Sequence, residues 1–347
     1  RNCTKQTSLD MIFIARKQIS IINSALTFQT FHYSKKFDVP SLFPKVYSVY
    51  LSQSNDIFTN LALEDWLFKN VSFDKERILL IWRNEPSVVI GRHQNPWVES
   101  NTRYLQDQSI KLARRNSGGG TVYHDMGNIN LTFFMHRKDY NRKENLTIIL
   151  KALERMKVLL EFNERDDLLL NGKKVSGTAA KLSSSKSYHH CSLLVQLDKQ
   201  SMQNALKCPD EDRYHSKATK SVKSPVTCIS SSKGFDINDI IEAVGNEYLK
   251  SCENGSHYTG FSLVNPTDYW FQGINKLRDQ FMSWDWIYGR TPPFSVYTTV
   301  EINDCLVNVK ANILKGKLES VEYDQKDCHL LDHLIGMPYS PELLKIA

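Results

Sequence analysis

Two apolar spacings run through the chain and divide it into predicted strands and helices. Ile78-Leu-Leu-Ile-Trp82 is a continuous apolar run, as a strand buried on both faces requires. Val46–Leu51 reads as a strand before it. Ser87-Val-Val-Ile90 reads as one after it, set off by Pro86 and ended by Gly91. These two neighbouring runs, 78–82 and 87–90, would deliver Arg92-His-Gln-Asn-Pro-Trp97 to a loop forming a pocket wall. Asp56 offers an N-cap, and Phe58, Leu61, Ala62, Trp66 and Leu67 follow at helical spacing. Asn145–Phe162 repeats that spacing with Leu146, Ile149, Leu153, Met156, Val158 and Leu159. Leu168–Leu170 is a short strand, and Asn171-Gly172 is the strongest hairpin signal in the chain. The turn leads into Lys173-Lys-Val-Ser176, so Lys174 stands just past it. A strand is predicted over His189–Leu197 and a helix over Phe235–Leu249.

Polar intervals set the boundaries. Lys207–Lys233 is rich in Lys and Ser and predicts a long surface loop. Ser251–Pro266 turns to Gly, Asn, Ser and Tyr, the composition of a linker. Beyond it, strands are predicted near Val296–Ile302, Cys305–Ala311 and Lys317–Tyr323, with a closing helix near Asp327–Ile335. A length of 347 residues suits two domains at about 150 residues each. The expectation is a large domain over residues 40–258 and a small one over 259–347. Residues 1–37 stand apart, because Arg1, Lys5, Arg16, Lys17, Lys35 and Lys36 face a single acid, Asp10. With plentiful hydroxyl side chains and a possible amphipathic helix over Met11–Ile22, this stretch reads as a mitochondrial targeting segment. A plain N-terminal tail is the alternative.

Composition narrows the classes. Hydrophobic residues at 41% and aromatics at 11% are enough to bury a sizeable core. No apolar run approaches bilayer length, and no membrane association is expected. A net charge of +6 favours acidic protein partners or substrates. Without a basic stripe interleaved with aromatics, it does not predict nucleic-acid binding. Seven cysteines (Cys3, Cys191, Cys208, Cys228, Cys252, Cys305 and Cys328) are scattered without a Cys-x-x-Cys pair. That argues against a zinc site and a disulfide framework, and for a reducing compartment.

Candidate chemistry concentrates in Lys111-Leu-Ala-Arg-Arg-Asn-Ser-Gly-Gly-Gly-Thr-Val-Tyr-His-Asp-Met-Gly-Asn128, which leads into the strand-forming Ile129–Phe134. Three glycines bare the backbone, so its N–H groups can approach anionic or carbonyl oxygens closely. Arg114 and Arg115 add fixed charge, and Tyr123, His124 and Asp125 add polar groups. Gly-Gly-Gly alone would equally suit a flexible hairpin with solvated arginines.

The longer pattern Arg-Arg-x-Ser-Gly-Gly-Gly-x-Val-x-His-Asp-x-Gly-Asn resembles the lipoate-binding loop of lipoate–protein ligases and lipoyltransferases. Two further segments resemble the family in the same order: Ile81–Trp97 upstream and Lys173-Lys-Val-Ser-Gly-Thr-Ala-Ala-Lys181 downstream. The likeness runs from about Val46 to Pro293 and is nearest to the animal lipoyltransferases. It implies an α/β (α+β) fold: a mixed-sheet catalytic domain like that of lipoate and biotin ligases, with a small C-terminal α/β accessory domain. Trp284-Asp-Trp through Thr-Pro-Pro-Phe294 resembles the hinge before that accessory domain.

Attaching an acid to a lysine amine needs a better leaving group than hydroxide, and an acyl phosphate anhydride supplies one by expelling AMP. The protein must then hold the anhydride, neutralise phosphate and oxyanion, and exclude water. The resemblance casts Lys174 as the catalytic lysine. It implies substrate contacts at Trp82, Arg115, Ser117, Gly118, Gly119, Gly120, Tyr123, His124, Asn128, Arg165, Ser176, Thr178, Ser192, Thr219 and Ser221. Trp82, Val88, Ile90 and Val122 would line an apolar tunnel. His124 and Asp125 would polarise the acceptor lysine or pair structurally. The substrate would be lipoyl-AMP, or lipoate with ATP and magnesium, with no resident metal or prosthetic group. Implied partners are the lipoyl domains of 2-oxoacid dehydrogenase acyltransferase subunits and the glycine-cleavage H protein. A monomer in the mitochondrial matrix is expected. Alternatives are a complete ATP-dependent ligase, a cysteine-thioester octanoyl or lipoyl transferase using Cys191, a non-catalytic lipoyl-domain binding protein, and a biotin ligase.

Overall fold

A computed structural model describes residues 45–231, 234–252, 256–302, 305–325 and 329–345. The predicted targeting segment lies outside the described residues. In chain order the strands begin with β1 (Val46–Ser52), β2 (Glu76–Trp82), β3 (Ser87–Ile90), β4 (Lys111–Arg114), β5 (Val122–His124) and β6 (Asn128–His136). Next come β7 (Glu161–Phe162), β8 (Leu168–Leu170), β9 (Lys173–Lys174), β10 (Ser176–Leu182) and β11 (Lys186–Leu194). The series ends with β12 (Tyr214–Ser216), β13 (His257–Val264), β14 (Phe294–Ile302), β15 (Cys305–Leu314) and β16 (Lys317–Tyr323).

The main sheet has six strands in the order β10–β11–β6–β2–β1–β13. β1 lies parallel to β2 and β13, while the remaining neighbours are antiparallel, so the sheet is mixed. Helices cover both faces, which is why β2 is apolar without alternation. Ile78, Leu80 and Trp82 pack against the helix Ile57–Asn70, and Leu79 and Ile81 pack against the helices Arg142–Arg155 and Ile237–Lys250. The first of these helices starts where the sequence predicts, Asp56 Oδ2 accepting from the Thr59 N–H at 2.8 Å.

β3, β4 and β5 form a separate sheet in the order β4–β3–β5. β2 and β3 are therefore consecutive but not paired, and Pro96–Glu99 is a short helix rather than a pocket-wall loop. Its Trp97 inserts into a third core, with Phe294, Val296, Val309 and Tyr339. That core belongs to the sheet β12–β14–β15–β16.

Other departures have local causes. The helix predicted over 145–162 ends at Arg155 because Lys157 adopts φ +61°; Leu159 is then 72% exposed. The expected linker at 251–266 contains β13, which pairs with β1, while β12 from the large half pairs with β14. Strand pairing thus crosses the expected 258/259 boundary in both directions. Among the described residues of the predicted closing helix only a 3₁₀ turn, Asp332–Leu334, forms.

Candidate active site

A cavity of about 540 Å³ opens between the main sheet and the β4–β3–β5 sheet. Strand register builds its floor: Gly177, Ser192, Asn130 and Trp82 are consecutive cross-strand partners on β10, β11, β6 and β2. All four line the cavity. The alternation of β3 and β5 sends Val89, Val122 and His124 to the cavity and Val88, Ile90 and Tyr123 into a separate apolar cluster. This corrects the expected tunnel, in which Val88 and Ile90 take the place that Val89 occupies.

At one end stands Lys174, placed by a tight turn. Asn171 and Gly172 both take positive φ, +50° and +73°, as the two central residues of a hairpin turn require. The Lys174 N–H donates to Pro225 O at 2.9 Å, and its carbonyl accepts from Thr227 N at 3.0 Å. Its ammonium lies 2.8 Å from Asp167 Oδ1, with the lysine side chain 21% exposed and the aspartate 7%. Asp167 is oriented in turn by Asn163, which donates to its Oδ2 at 3.1 Å. Arg142, Arg165 and Lys220 also line the cavity; with Arg142 3.7 Å from Asp166 and Lys220 3.7 Å from Glu211, four cations stand against three carboxylates. An anionic ligand is the electrostatic complement of that surplus.

The glycine loop forms the opposite wall, and its arginines are spent on the protein itself. Arg115 is 5% exposed. It donates to Val89 O at 2.9 Å, Gly118 O at 2.7 Å, Gly120 O at 2.6 Å and Ser117 Oγ at 3.0 Å. Burial lowers its pKa to about 10, which leaves it charged near neutrality. Gly119 supplies the φ of +90° at the crest, and a Cβ at Gly91 would meet Gly119 O at 2.2 Å. Ser117 Oγ, accepting from Arg115, donates to His190 Nε2 at 2.8 Å, and His190 Nδ1–H donates to Glu64 Oε1 at 2.9 Å. Thr132 also donates to Glu64 and accepts from the Trp82 indole N–H. Trp82 therefore turns only its ring toward the ligand space.

Arg114 does a different job. Fully buried, it makes seven hydrogen bonds, to the carbonyls of Gly91, Arg92, Gln94, Trp286 and Ile287 and the hydroxyl of Thr291. Burial first and the Arg290 charge second lower its pKa to about 10. His124 is neutral: burial first, then the Arg115 charge and the neighbouring His190 ring, lowers its pKa to about 3. Asn84 Oδ1 accepts from Asn60, so its amide nitrogen donates to His124 Nδ1 and the ring proton sits on Nε2.

Of the predicted contacts, Lys174, Trp82, Arg115, Gly119, Gly120, His124, Arg165, Thr178, Ser192, Thr219 and Ser221 line one cavity. Ser117, Gly118, Tyr123, Asn128 and Ser176 are not on its wall. Tyr123 is buried among Val88, Ile90, Leu105 and Ile110. Ser176 Oγ accepts from Leu168 N, and Asn128 donates to Asn130. Asp125 caps the turn at Gly127 rather than facing the cavity. The predicted surface loop 207–233 instead straps the cavity through Thr219–Val222, and Ser221 anchors it to buried Glu99. Sequence reasoning missed Leu61, Asn130, Arg142, Asp167 and His190 as lining residues. Asp167 stood in the Arg165-Asp-Asp-Leu segment and Asn130 in the Ile129–Phe134 run, so both lay within stretches that the sequence singles out. Cys191 lines the cavity, but burial raises its pKa to about 12, which leaves an inert thiol.

Residues 56–249 match the lipoyl protein ligase A/B catalytic domain, more than half of the chain, and the chain belongs to that family. Human mitochondrial lipoyl amidotransferase LIPT1 is 42% identical over 285 residues, covering 80% of this chain and 75% of that protein. Lipoate-protein ligase A of Psychrobacter cryohalolentis is 34% identical over 268 residues, covering 76% and 78%. The crystal structure of P. falciparum LipL1 in complex with lipoate shares the fold. Its TM-score is 0.60 at 24% identity, over 83% of this chain and 88% of that one.

Proposed function

We propose that this chain transfers a lipoyl group from lipoyl-AMP to the acceptor lysine of a lipoyl domain. The observation that carries the reading is one cavity with a cationic end at Lys174, Arg142 and Arg165 and an apolar end at Leu61, Trp82, Val89 and Val122. The acyl chain lies along the apolar end and the phosphate meets the cations. The acceptor amine, once deprotonated, attacks the acyl carbonyl carbon. A C–N bond forms, the C–O bond to phosphate breaks, and AMP leaves with the electron pair. Lys174 stabilises the developing oxyanion and the leaving phosphate as a point charge. The glycine loop and the Thr219–Val222 strap keep water out, so the anhydride survives until the lysine arrives.

The acceptors are the lipoyl domains of 2-oxoacid dehydrogenase acyltransferase subunits and the H protein, in the mitochondrial matrix, where a relative's name already points to mitochondria. The sheet β12–β14–β15–β16 is an accessory domain whose continuous part begins at β14, with β12 (Tyr214–Ser216) joining it from within the large half, while β13 belongs to the main sheet.

The test is the intact mass of an apo lipoyl domain incubated with the protein and lipoyl-AMP, lipoate plus Mg-ATP, or lipoylated H protein. A lipoyl mass gain from lipoyl-AMP that Lys174→Ala abolishes supports the reading. A gain with ATP extends it to a complete ligase. No gain from any donor overturns it in favour of a binding module.

A further inference from the structure

Asn130 is a cavity residue that the transfer chemistry leaves unused. It is 3% exposed and sits on β6 between Ser192 and Trp82 in register. Its Oδ1 accepts from Asn128 Nδ2 at 3.0 Å, but its own Nδ2 has no hydrogen-bond partner. A buried amide N–H left unpaired is destabilising, and such groups in folded proteins generally have a partner. Asn130 lines the ligand cavity, so the bound acyl group can supply that partner.

Register indicates which part of the acyl group. Strands lie about 4.8 Å apart, so Asn130 is about 10 Å across the sheet from Gly177 and one strand from Trp82. Lys174 precedes Gly177 by three residues, at the opposite side of the floor. With the acyl carbonyl and phosphate at Lys174, the far end of the chain reaches the Asn130–Trp82 side. A plain alkyl terminus leaves the N–H unsatisfied, whereas a dithiolane brings two sulfur atoms, which are weak acceptors.

We propose that Asn130 is a specificity residue whose side-chain N–H meets a sulfur-bearing acyl terminus and disfavours a purely alkyl one. This rests on the lipoyl-transfer reading above. The experiment measures kcat/KM for lipoyl-AMP and octanoyl-AMP on an apo lipoyl domain, with the wild-type chain, Asn130→Leu and Asn130→Ala. The wild type is expected to favour lipoyl by about tenfold, and both variants to bring the ratio to about one. The ratio is insensitive to a reduced folded fraction, and if the Leu variant fails to fold, the Ala variant decides. An unchanged ratio, or an equal fall with both substrates, overturns the inference while leaving lipoyl transfer intact. A wild type that uses neither adenylate overturns the parent reading and this one with it.

Discussion

The two ends of the cavity use positive charge in opposite ways. In the glycine loop, Arg114 and Arg115 are saturated by carbonyl and hydroxyl oxygens of the protein, so their charge holds backbone in place. At the hairpin, Lys174 has one carboxylate partner and shares the wall with Arg142 and Arg165. One end is scaffold and the other is reagent. A basic residue in a motif becomes available to a ligand only when the backbone around it has been satisfied by something else.

The sharpest way to break this contrast is Lys174→Ala. Loss of a charge that acts on the transition state is expected to lower kcat by about 10³-fold, with a smaller loss of stability than in Arg115→Met, because only the Asp167 carboxylate is left without its partner. Arg115→Met should do the reverse. Stranding the Val89, Gly118 and Gly120 carbonyls is expected to cost about 3 kcal/mol in denaturant unfolding, and activity should fall because the loop melts. If Arg115→Met cut kcat as deeply as Lys174→Ala while leaving stability intact, the scaffold assignment would be wrong.

Acid supplies a smaller test. Burial lowers the pKa values of His124 and His189 to about 3, while each titrates near 6.5 unfolded. The unfolded chain therefore gains protons first. Stability is complete above pH 6.5 and falls as pH drops toward 3, by about 2 kcal/mol per histidine at pH 5. Chemical denaturation at pH 7, 6 and 5 should show this, with a shallower slope in His189→Asn. The smallest effect belongs to Cys191→Ala, expected to leave kcat within about twofold because a thiol with its pKa raised to about 12 supplies almost no thiolate. Abolished transfer would restore the thioester route.

Local chemistry made much of this legible. Asp56 capped its helix, Asn171-Gly172 made its turn, and the apolar run 78–82 became a strand buried on both faces, because each depends on neighbours in sequence. What escaped depends on distant partners. Nothing around Ser251–Pro266 reveals that β1, some two hundred residues earlier, needs a second neighbour. Nothing in Lys207–Lys233 reveals that buried Glu99 will draw Ser221 across the cavity. Val89 was missed in favour of Val88 and Ile90 because a short strand buried at every position does not announce which face meets the ligand. His190 was hidden as well, since its partners Glu64 and Ser117 lie 126 and 73 residues away.

The pairing of β1 with β13 also governs how the chain must be made. Val46 finds His257 across 211 intervening steps of sequence, the span already set by the Lys45–Ser256 hydrogen bond beside it. Loop closure of that length comes late and raises contact order, which slows folding. At about 5–20 residues per second, a growing chain holds β1 with an open edge for roughly 10–40 s before its partner exists. During that interval the exposed β1 edge can pair with other chains; in the finished sheet β13 covers it and becomes the edge in its place.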